Sequence, residues 1–346
     1  MQVIQVGLVG FGFSGQVFHA PLLEVLEGYT IRKVLSSNPD KVKSQLGDVE
    51  VVSNMEQLLA DPLIDLVIIT TPNELHFPQA KAALLAGKHV VLEKPMVNTV
   101  AEAEQLVAIA EKEQRMLSIY QNRRWDNDFL TIKQLLAENK LGKLHTYEAH
   151  FDRYRPTVVN RWREQEKPGS GMLFDLGSHL IDQVLHLFGP PQFVQADVIA
   201  QRAGAVVDDY FHVTLGYDHL RAILRSSSLV PAHDLRYILH GSKGSFIKYG
   251  IDSQEAALIA GEKPIGEQWG SDVPEKYGQL TVYKDGQFST EVVPTVSGSY
   301  VAYYQAVYDH LVSGAPCPVP AKEGLLTIKV IEAALTSSEE KRTIVF

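Results

Sequence analysis

Three stretches of this 346-residue chain bring together residue types suited to chemistry. The first is Gly10-Phe11-Gly12-Phe13-Ser14-Gly15, which follows the apolar run from Val3 to Val9 and precedes a helix-like segment from Gln16 to Leu26. Strand, glycines and helix in that order form a dinucleotide-binding fingerprint, whereas the glycines alone would be weak evidence. Gly10 permits a tight turn, Gly12 lets backbone approach a pyrophosphate, and Gly15 lets helix and strand pack closely. The second stretch is Glu93-Lys94-Pro95, at the end of the apolar run His89 to Leu92. A lysine at the carboxyl tip of a parallel strand, its backbone fixed by proline, points into a ligand crevice. Its charge can hold a substrate hydroxyl or steady a developing alkoxide. The third is Asp175-Leu176-Gly177-Ser178-His179-Leu180-Ile181-Asp182. Helical spacing puts Leu173, Leu176, Leu180, Val184 and Leu187 on one face, and Asp175, His179, Asp182 and His186 on a polar stripe. That stripe fits a solvated face, a metal site, or an acid–base pair in which Asp175 and His179, at i and i+4, share a substrate hydroxyl. The acid–base pair is carried forward, and no metal is assigned.

These residues need a scaffold, and the first third of the chain supplies one. Strand-like runs at 30–35, 49–52, 65–71, 89–92 and 116–120 alternate with helical segments at 77–86 and 101–113. With the initial strand they predict a doubly wound parallel sheet. Ligands in such sheets bind outside the carboxyl ends of the strands, so Thr71, Pro72 and Asn73 are candidate cofactor contacts. His76 is another, although it serves equally well to begin a helix. The end of the second strand selects the cofactor. An NAD site places an acid about 20 residues past the glycines. Here Ser36, Ser37 and Asn38 occupy that place, with Lys33, Lys41 and Lys43 nearby. Hydroxyls and cations suit a 2′-phosphate, which favours NADP and leaves NAD possible.

Past Tyr120 the alternation fades. A polar, aromatic hinge, 121–126, suggests a boundary, giving a dinucleotide-binding domain over 1–121 and a second domain over 122–346. After a helix at 128–138, strand-like runs at 145–154, 193–201, 210–217, 220–228, 236–240 and 245–249 predict a mostly antiparallel sheet in an α+β domain. Helices at 300–312 and 322–338 close the chain, and the last is expected to pack back on the first domain. The whole is therefore α/β, with two domains, as its length also suggests.

Composition narrows the function classes. A formal net charge of −9, without a basic run, argues against nucleic acid or an anionic membrane as a partner. The single cysteine, Cys317, leaves no internal disulfide. No signal-like segment opens the chain, and no apolar run reaches the roughly 18–20 residues of a membrane-spanning helix. A cytoplasmic protein is expected.

On these three motifs the chain resembles the glucose-fructose oxidoreductase/inositol dehydrogenase (Gfo/Idh/MocA) family. Within it the likeness is to the NADP-dependent scyllo-inositol dehydrogenases, through Ser14–Pro21, Asn122–Phe129, Arg153-Tyr154-Arg155-Pro156 and Phe246–Gly250. The resemblance implies a Rossmann domain and a second domain with a large open-faced sheet that forms homodimers or homotetramers. It implies active-site roles for Lys94, Asp175 and His179, and cofactor contacts from Trp162 and Arg163. Glu93, Lys94 and Asn122 join the expected cofactor contacts, and Arg124 and Tyr154 the expected substrate pocket. The implied activity is hydride transfer between NADP and a small polyol or sugar, with scyllo-inositol and its keto form leading. Two rivals stand beside it. One is a regulator that binds NADP without turnover. The other is a dehydrogenase of another sugar, or a redox-cycling enzyme on glycosides that retains its cofactor.

Overall fold

The computed structural model describes residues 2–159 and 164–346. The chain divides into two compact units, one of Met1–Trp125, Gln254–Trp269 and Ser299–Leu325, the other of Asp126–Ser253, Gly270–Gly298 and Leu326–Phe346.

The sheet of the first unit contains β1 (Ile4–Val9), β2 (Tyr29–Leu35), β3 (Glu50–Val52), β4 (Leu66–Ile69), β5 (His89–Leu92) and β6 (Leu117–Ile119). All of its pairings among the described residues are parallel, in the order β3-β2-β1-β4-β5-β6. The inner strands β1, β4 and β5 are mostly apolar because helices cover both faces; every residue of β4 is buried. Helices α1 (Ala20–Glu24), α2 (Pro39–Leu46), α3 (Met55–Leu59), α4 (His76–Leu85) and α5 (Val100–Lys112) supply the crossovers. Asn38, Asn54 and Thr99 cap α2, α3 and α5, each side-chain oxygen accepting a backbone N–H from the first turn. The order reverses beside β1, so the loops after β1 and β4 splay apart and leave a crevice.

The second unit holds α6 (Asn127–Ala137), β7 (Leu144–His150), α7 (Ser178–Phe188), β8 (Phe193–Ile199), β9 (Tyr210–Gly216), β10 (Arg221–Ser227), β11 (Leu235–Gly241) and β12 (Gly244–Tyr249). A hairpin, β13 (Gly278–Lys284) and β14 (Gln287–Val293), and the short β15 (Ile344–Val345) complete its sheet. The order is β14-β13-β12-β11-β7-β10-β9-β8-β15, antiparallel except between β7 and β10. Helices α8 (Gln254–Ile259) and α9 (Val301–Ser313) belong to the first unit, and α10 (Ala321–Glu340) begins in the first and ends in the second. Two buried ion pairs brace the second unit: Arg236 with Asp128 at 2.9 Å, and Lys248 with Asp272 at 2.9 Å.

Two helices depart from their expected form. The run 16–26 is not one α-helix but a wide turn, Gly15–His19, followed by α1. Pro21 has no N–H to give to Val17, and the Ala20 N–H instead reaches back five residues to the Gly15 carbonyl. The third motif likewise opens with a wide turn, Leu173–Gly177, in which the Ser178 N–H reaches Leu173. Asp175 and His179 therefore do not keep the regular spacing assumed for them. Nor is the polar stripe a solvated face: His179 and Asp182 are buried, and only His186 is exposed.

Candidate active site

Each residue expected to touch the cofactor in the first unit stands at the carboxyl edge of its sheet. The glycine loop leaves β1 with Gly10 at φ +91, a left-handed conformation that side chains rarely adopt. The Gly10 N–H donates to Leu35 O at 3.0 Å, and Thr70 Oγ1, beyond the end of β4, donates to Gly10 O at 2.9 Å. The loop is thus tied to both neighbouring strands. A Cβ on Gly15 would lie 2.7 Å from Gly10 O, so helix and loop approach too closely for a side chain. A Cβ on Gly12 would meet nothing within 4 Å. That open face, above backbone N–H groups at a turn, suits the pyrophosphate of a dinucleotide. The residues present therefore fit a dinucleotide.

The loop is held from below by a buried network. Ser14 Oγ donates to Glu93 Oε1, and His19 Nε2 meets the same oxygen at 3.0 Å. The Lys94 N–H donates to Glu93 Oε2 at 2.9 Å. On its other side, His19 Nδ1 lies 2.5 Å from the Tyr304 hydroxyl. Burial pushes the Glu93 carboxyl upward, but hydrogen bonds from His19 and Ser14 and the charges of His19 and Lys94 outweigh it and hold the group at about 2. One carboxylate consequently joins the glycine loop to the backbone of Lys94.

A second clamp fixes the next loop. His76 is fully buried, its Nδ1 2.9 Å from Pro95 O and its Nε2 2.9 Å from Thr71 O. Burial lowers its pKa while the two carbonyls pull upward. The ring thereby locks 71–73 onto Lys94–Pro95, whose peptide bond is cis. Both its nitrogens face backbone carbonyls, so His76 positions the loop. Thr71 Oγ1 donates to Gln79 at 2.6 Å, Pro72 is exposed and Asn73 is buried.

At the end of β2, Ser36 Oγ accepts the Asn38 N–H at 3.1 Å, and Asn38 Oδ1 caps α2 by accepting the Lys41 N–H at 3.1 Å. Ser37 is exposed, as are Lys41 and Lys43. Lys33 is not an available cation. It pairs with Glu50 at 3.0 Å and Asp61 at 3.3 Å, and the Glu50 hydrogen bond raises its pKa. Asn122 is buried just past β6. Arg124 is 4% exposed and paired with Glu323 at 2.6 Å, which makes it a strut within the first unit.

In the second unit the wide turn at 173–177 places Asp175 and His179 ahead of and within α7. The helix packs its apolar face, including Leu180 and Val184, inward, and Gln183 accepts from the Tyr237 hydroxyl at 2.8 Å. Asp208 anchors the start of the turn, Oδ2 accepting the Leu173 N–H at 2.7 Å. Burial raises the Asp208 carboxyl to about 6 against the hydrogen bonds that lower it. Gly171, at φ +93, makes this possible, because a Cβ there would fall on the Asp208 carboxylate. Tyr154 is half exposed and bridges to Leu229. Trp162 and Arg163 lie outside the described residues.

Residues 4–121 match the oxidoreductase family with an NAD-binding Rossmann fold, and residues 133–346 match that family's C-terminal alpha/beta domain. The chain belongs to the Gfo/Idh/MocA oxidoreductase family. It is 52% identical to the scyllo-inositol 2-dehydrogenase (NADP(+)) IolW of Bacillus subtilis (strain 168), over 99% of this chain and 96% of that protein. It is 46% identical to the oxidoreductase YdgJ of Escherichia coli (strain K12), over 99% of this chain and 98% of that one. The solved structure of the oxidoreductase yvaA from Bacillus subtilis superposes with a TM-score of 0.98 at 52% identity, covering 100% of this chain and 99% of that one. Among the described residues, no helix is long and apolar enough to cross a membrane.

The sequence reading gave no role to His19, Tyr304 or Asp208. His19 carried a signal: a histidine in an otherwise apolar helix start, nine residues after the first loop glycine, needs a buried partner. Tyr304 and Asp208 come from distant segments and carried none.

Proposed function

We propose that this oxidoreductase is an NADP-dependent dehydrogenase that interconverts scyllo-inositol and its keto form, with a Rossmann domain over 1–121 and a substrate-binding and oligomerisation domain over 122–346 that adds cofactor contacts of its own. The observation that carries the cofactor side is Glu93, whose two oxygens hold Ser14 of the glycine loop and the Lys94 backbone in one buried network. Full-length similarity to a scyllo-inositol dehydrogenase supports the substrate class. Ser36, Ser37 and Asn38, with no carboxylate among them, support NADP over NAD.

In this reading Gly10–Gly15, Thr71–Asn73, Asn122, Trp162 and Arg163 contact the cofactor, and His76 sets the loop that does so. When bound, NADP would supply the acceptor for the hydride of the substrate's carbinol carbon. His179 removes the hydroxyl proton as that hydride leaves, and Lys94 holds the oxygen and stabilises its negative charge. Asp175 orients the substrate and supports the protonated form of His179. Tyr154 contributes to the substrate pocket. Arg124, proposed for the same pocket, carries its guanidinium on Glu323. β14 is exposed along almost its whole length, with Phe288 and Val292 outward, and this supports a homodimer or homotetramer built through the second sheet.

The test is substitution at the two chemical groups. Lys94→Ala and His179→Ala should each lower kcat by 100-fold or more, in line with the loss of a general base or a charge-stabilising group, while NADP binding persists. Turnover within a few-fold of the parent would refute the assignment. Tight NADP binding without turnover in the unaltered protein would favour a regulator.

A further inference from the structure

The parallel sheet has a second concave feature at its other end. A cavity of about 400 Å³ lies at the amino ends of β5 and β6, remote along those strands from Glu93 and Tyr120. This is within the size range of small-molecule sites. Val107, Ala110, Leu117 and Pro320 give it apolar walls, and His89, Arg115 and His310 give it polar groups.

Most of the polar groups on its wall are donors, beside one carboxylate, Glu111. Arg115 Nε is shielded from solvent and has no hydrogen-bond acceptor among the described residues. His89 Nδ1 accepts the Met116 N–H at 3.0 Å, so a neutral ring carries its proton on Nε2 and is a donor there. His310 Nδ1 lies 2.6 Å from the Ala315 carbonyl and donates to it. Glu111 also lines the cavity and is neutralised there by the lining Lys322 at 2.7 Å, and the nearby Asp65, outside the lining, accepts the Gln5 N–H at 2.9 Å. The remaining titratable lining group, Cys317, is held as the neutral thiol, its pKa raised by burial. Burial, followed by the charges of Arg115 and His310, pushes His89 down to about 4 against a weaker upward pull from Asp65. In a chain of net charge −9 this is a local excess of positive charge, with a buried Arg115 Nε–H that has no acceptor among the described residues.

We propose that this cavity binds a compact oxyanion, a carboxylate or a phosphate, carried on a small apolar body. The planar guanidinium of Arg115 offers paired donors to two oxygens, an arrangement a lysine cannot supply. His89 Nε2–H adds a third donor, and the apolar walls take the body of the ligand. The site lies within the first unit and does not depend on the dehydrogenase reaction, so its failure and that of the proposed activity are separate outcomes.

The test uses the full-length protein with benzoate and phenyl phosphate as probes, each against chloride at equal ionic strength. The readouts are the His89 ring resonance, assigned with His89→Gln, and the thermal midpoint. Saturable binding is expected, with the His89 titration moving upward from about 4 as the anion favours the protonated ring. Arg115→Gln should weaken binding at least tenfold, and Arg115→Lys should recover only part of it. Saturation by benzoate alone identifies a carboxylate ligand, and by phenyl phosphate alone a phosphate. Neither probe moving His89 more than chloride does would overturn the site. So would binding that survives Arg115→Gln unchanged, because the probe would then sit elsewhere. Should that variant fail to fold, the probe-dependent His89 titration in the unaltered protein decides alone.

Discussion

Replacing Glu93 with Gln is the sharpest perturbation of the network beneath the glycine loop. The carboxylate accepts from Ser14 and His19 on one oxygen and from the Lys94 N–H on the other. An amide of the same shape has one acceptor oxygen, so at least one of these buried donors loses its partner. That costs about 1–3 kcal/mol, before the lost charge is counted. An independent figure comes from protonation. Holding the carboxyl at about 2 instead of 4.5 corresponds to about 3 kcal/mol at roughly 1.4 kcal/mol per pH unit. Its pKa is depressed on folding, so this stability is present above pH 4.5 and is lost as pH falls through about 2. Glu93→Gln should therefore lower the first thermal transition at pH 7 by on the order of 5–10 °C. It should also flatten the acid limb between pH 4.5 and 2, and weaken NADP binding by roughly 10–100-fold through release of Ser14, since each 1.4 kcal/mol is about tenfold. Scanning calorimetry across pH and a fluorescence titration with NADP measure these effects. A variant with an unchanged midpoint and unchanged NADP affinity would refute the coupling of loop and lysine through this carboxylate.

Other outcomes follow from the same physics. Ser37→Asp places a carboxylate at the exposed end of β2 and should weaken NADP at least tenfold while sparing NAD, as measured by KM for each. Gly171→Ala forces a side chain onto Asp208 at φ +93 and should cost about 2 kcal/mol or more in urea unfolding. Asp208 is raised on folding, so its contribution is full below pH 3.8 and is lost as pH rises through about 6. Asp208→Asn, which keeps an acceptor for Leu173 N–H, should remove that slope from thermal midpoints taken between pH 4 and 6.5.

The parallel sheet was legible because its inner strands β1, β4 and β5 are mostly apolar and end in glycines, Thr70–Pro72 and Glu93-Lys94-Pro95, which periodicity and turn chemistry reveal directly. The hairpin β13–β14 was not recognised, although Asp285 and Gly286, at φ +54 and +81, form the two-residue turn that announces one. Its outer strand β14 is mostly polar and exposed, so hydrophobic alternation gave little contrast there. The wide turns before α1 and α7 escaped because hydrophobic spacing cannot separate one such turn from a regular helix. Of the site, the residues on sheet tips could be located from spacing. The partners that fix them, Tyr304 on His19 and Asp208 on Leu173, are joined only by tertiary packing. Lys33, a cation near the end of β2, and Arg124, expected in the substrate pocket, are both engaged in ion pairs, which charge near a loop does not reveal.

The central claim is hydride transfer between NADP and scyllo-inositol, and initial rates with NADP and NAD across inositols, aldoses and deoxy sugars test it directly. NADP reduction that is rapid with scyllo-inositol and weak with its stereoisomers is the predicted result. NADP binding with no turnover of any polyol or sugar would contradict it.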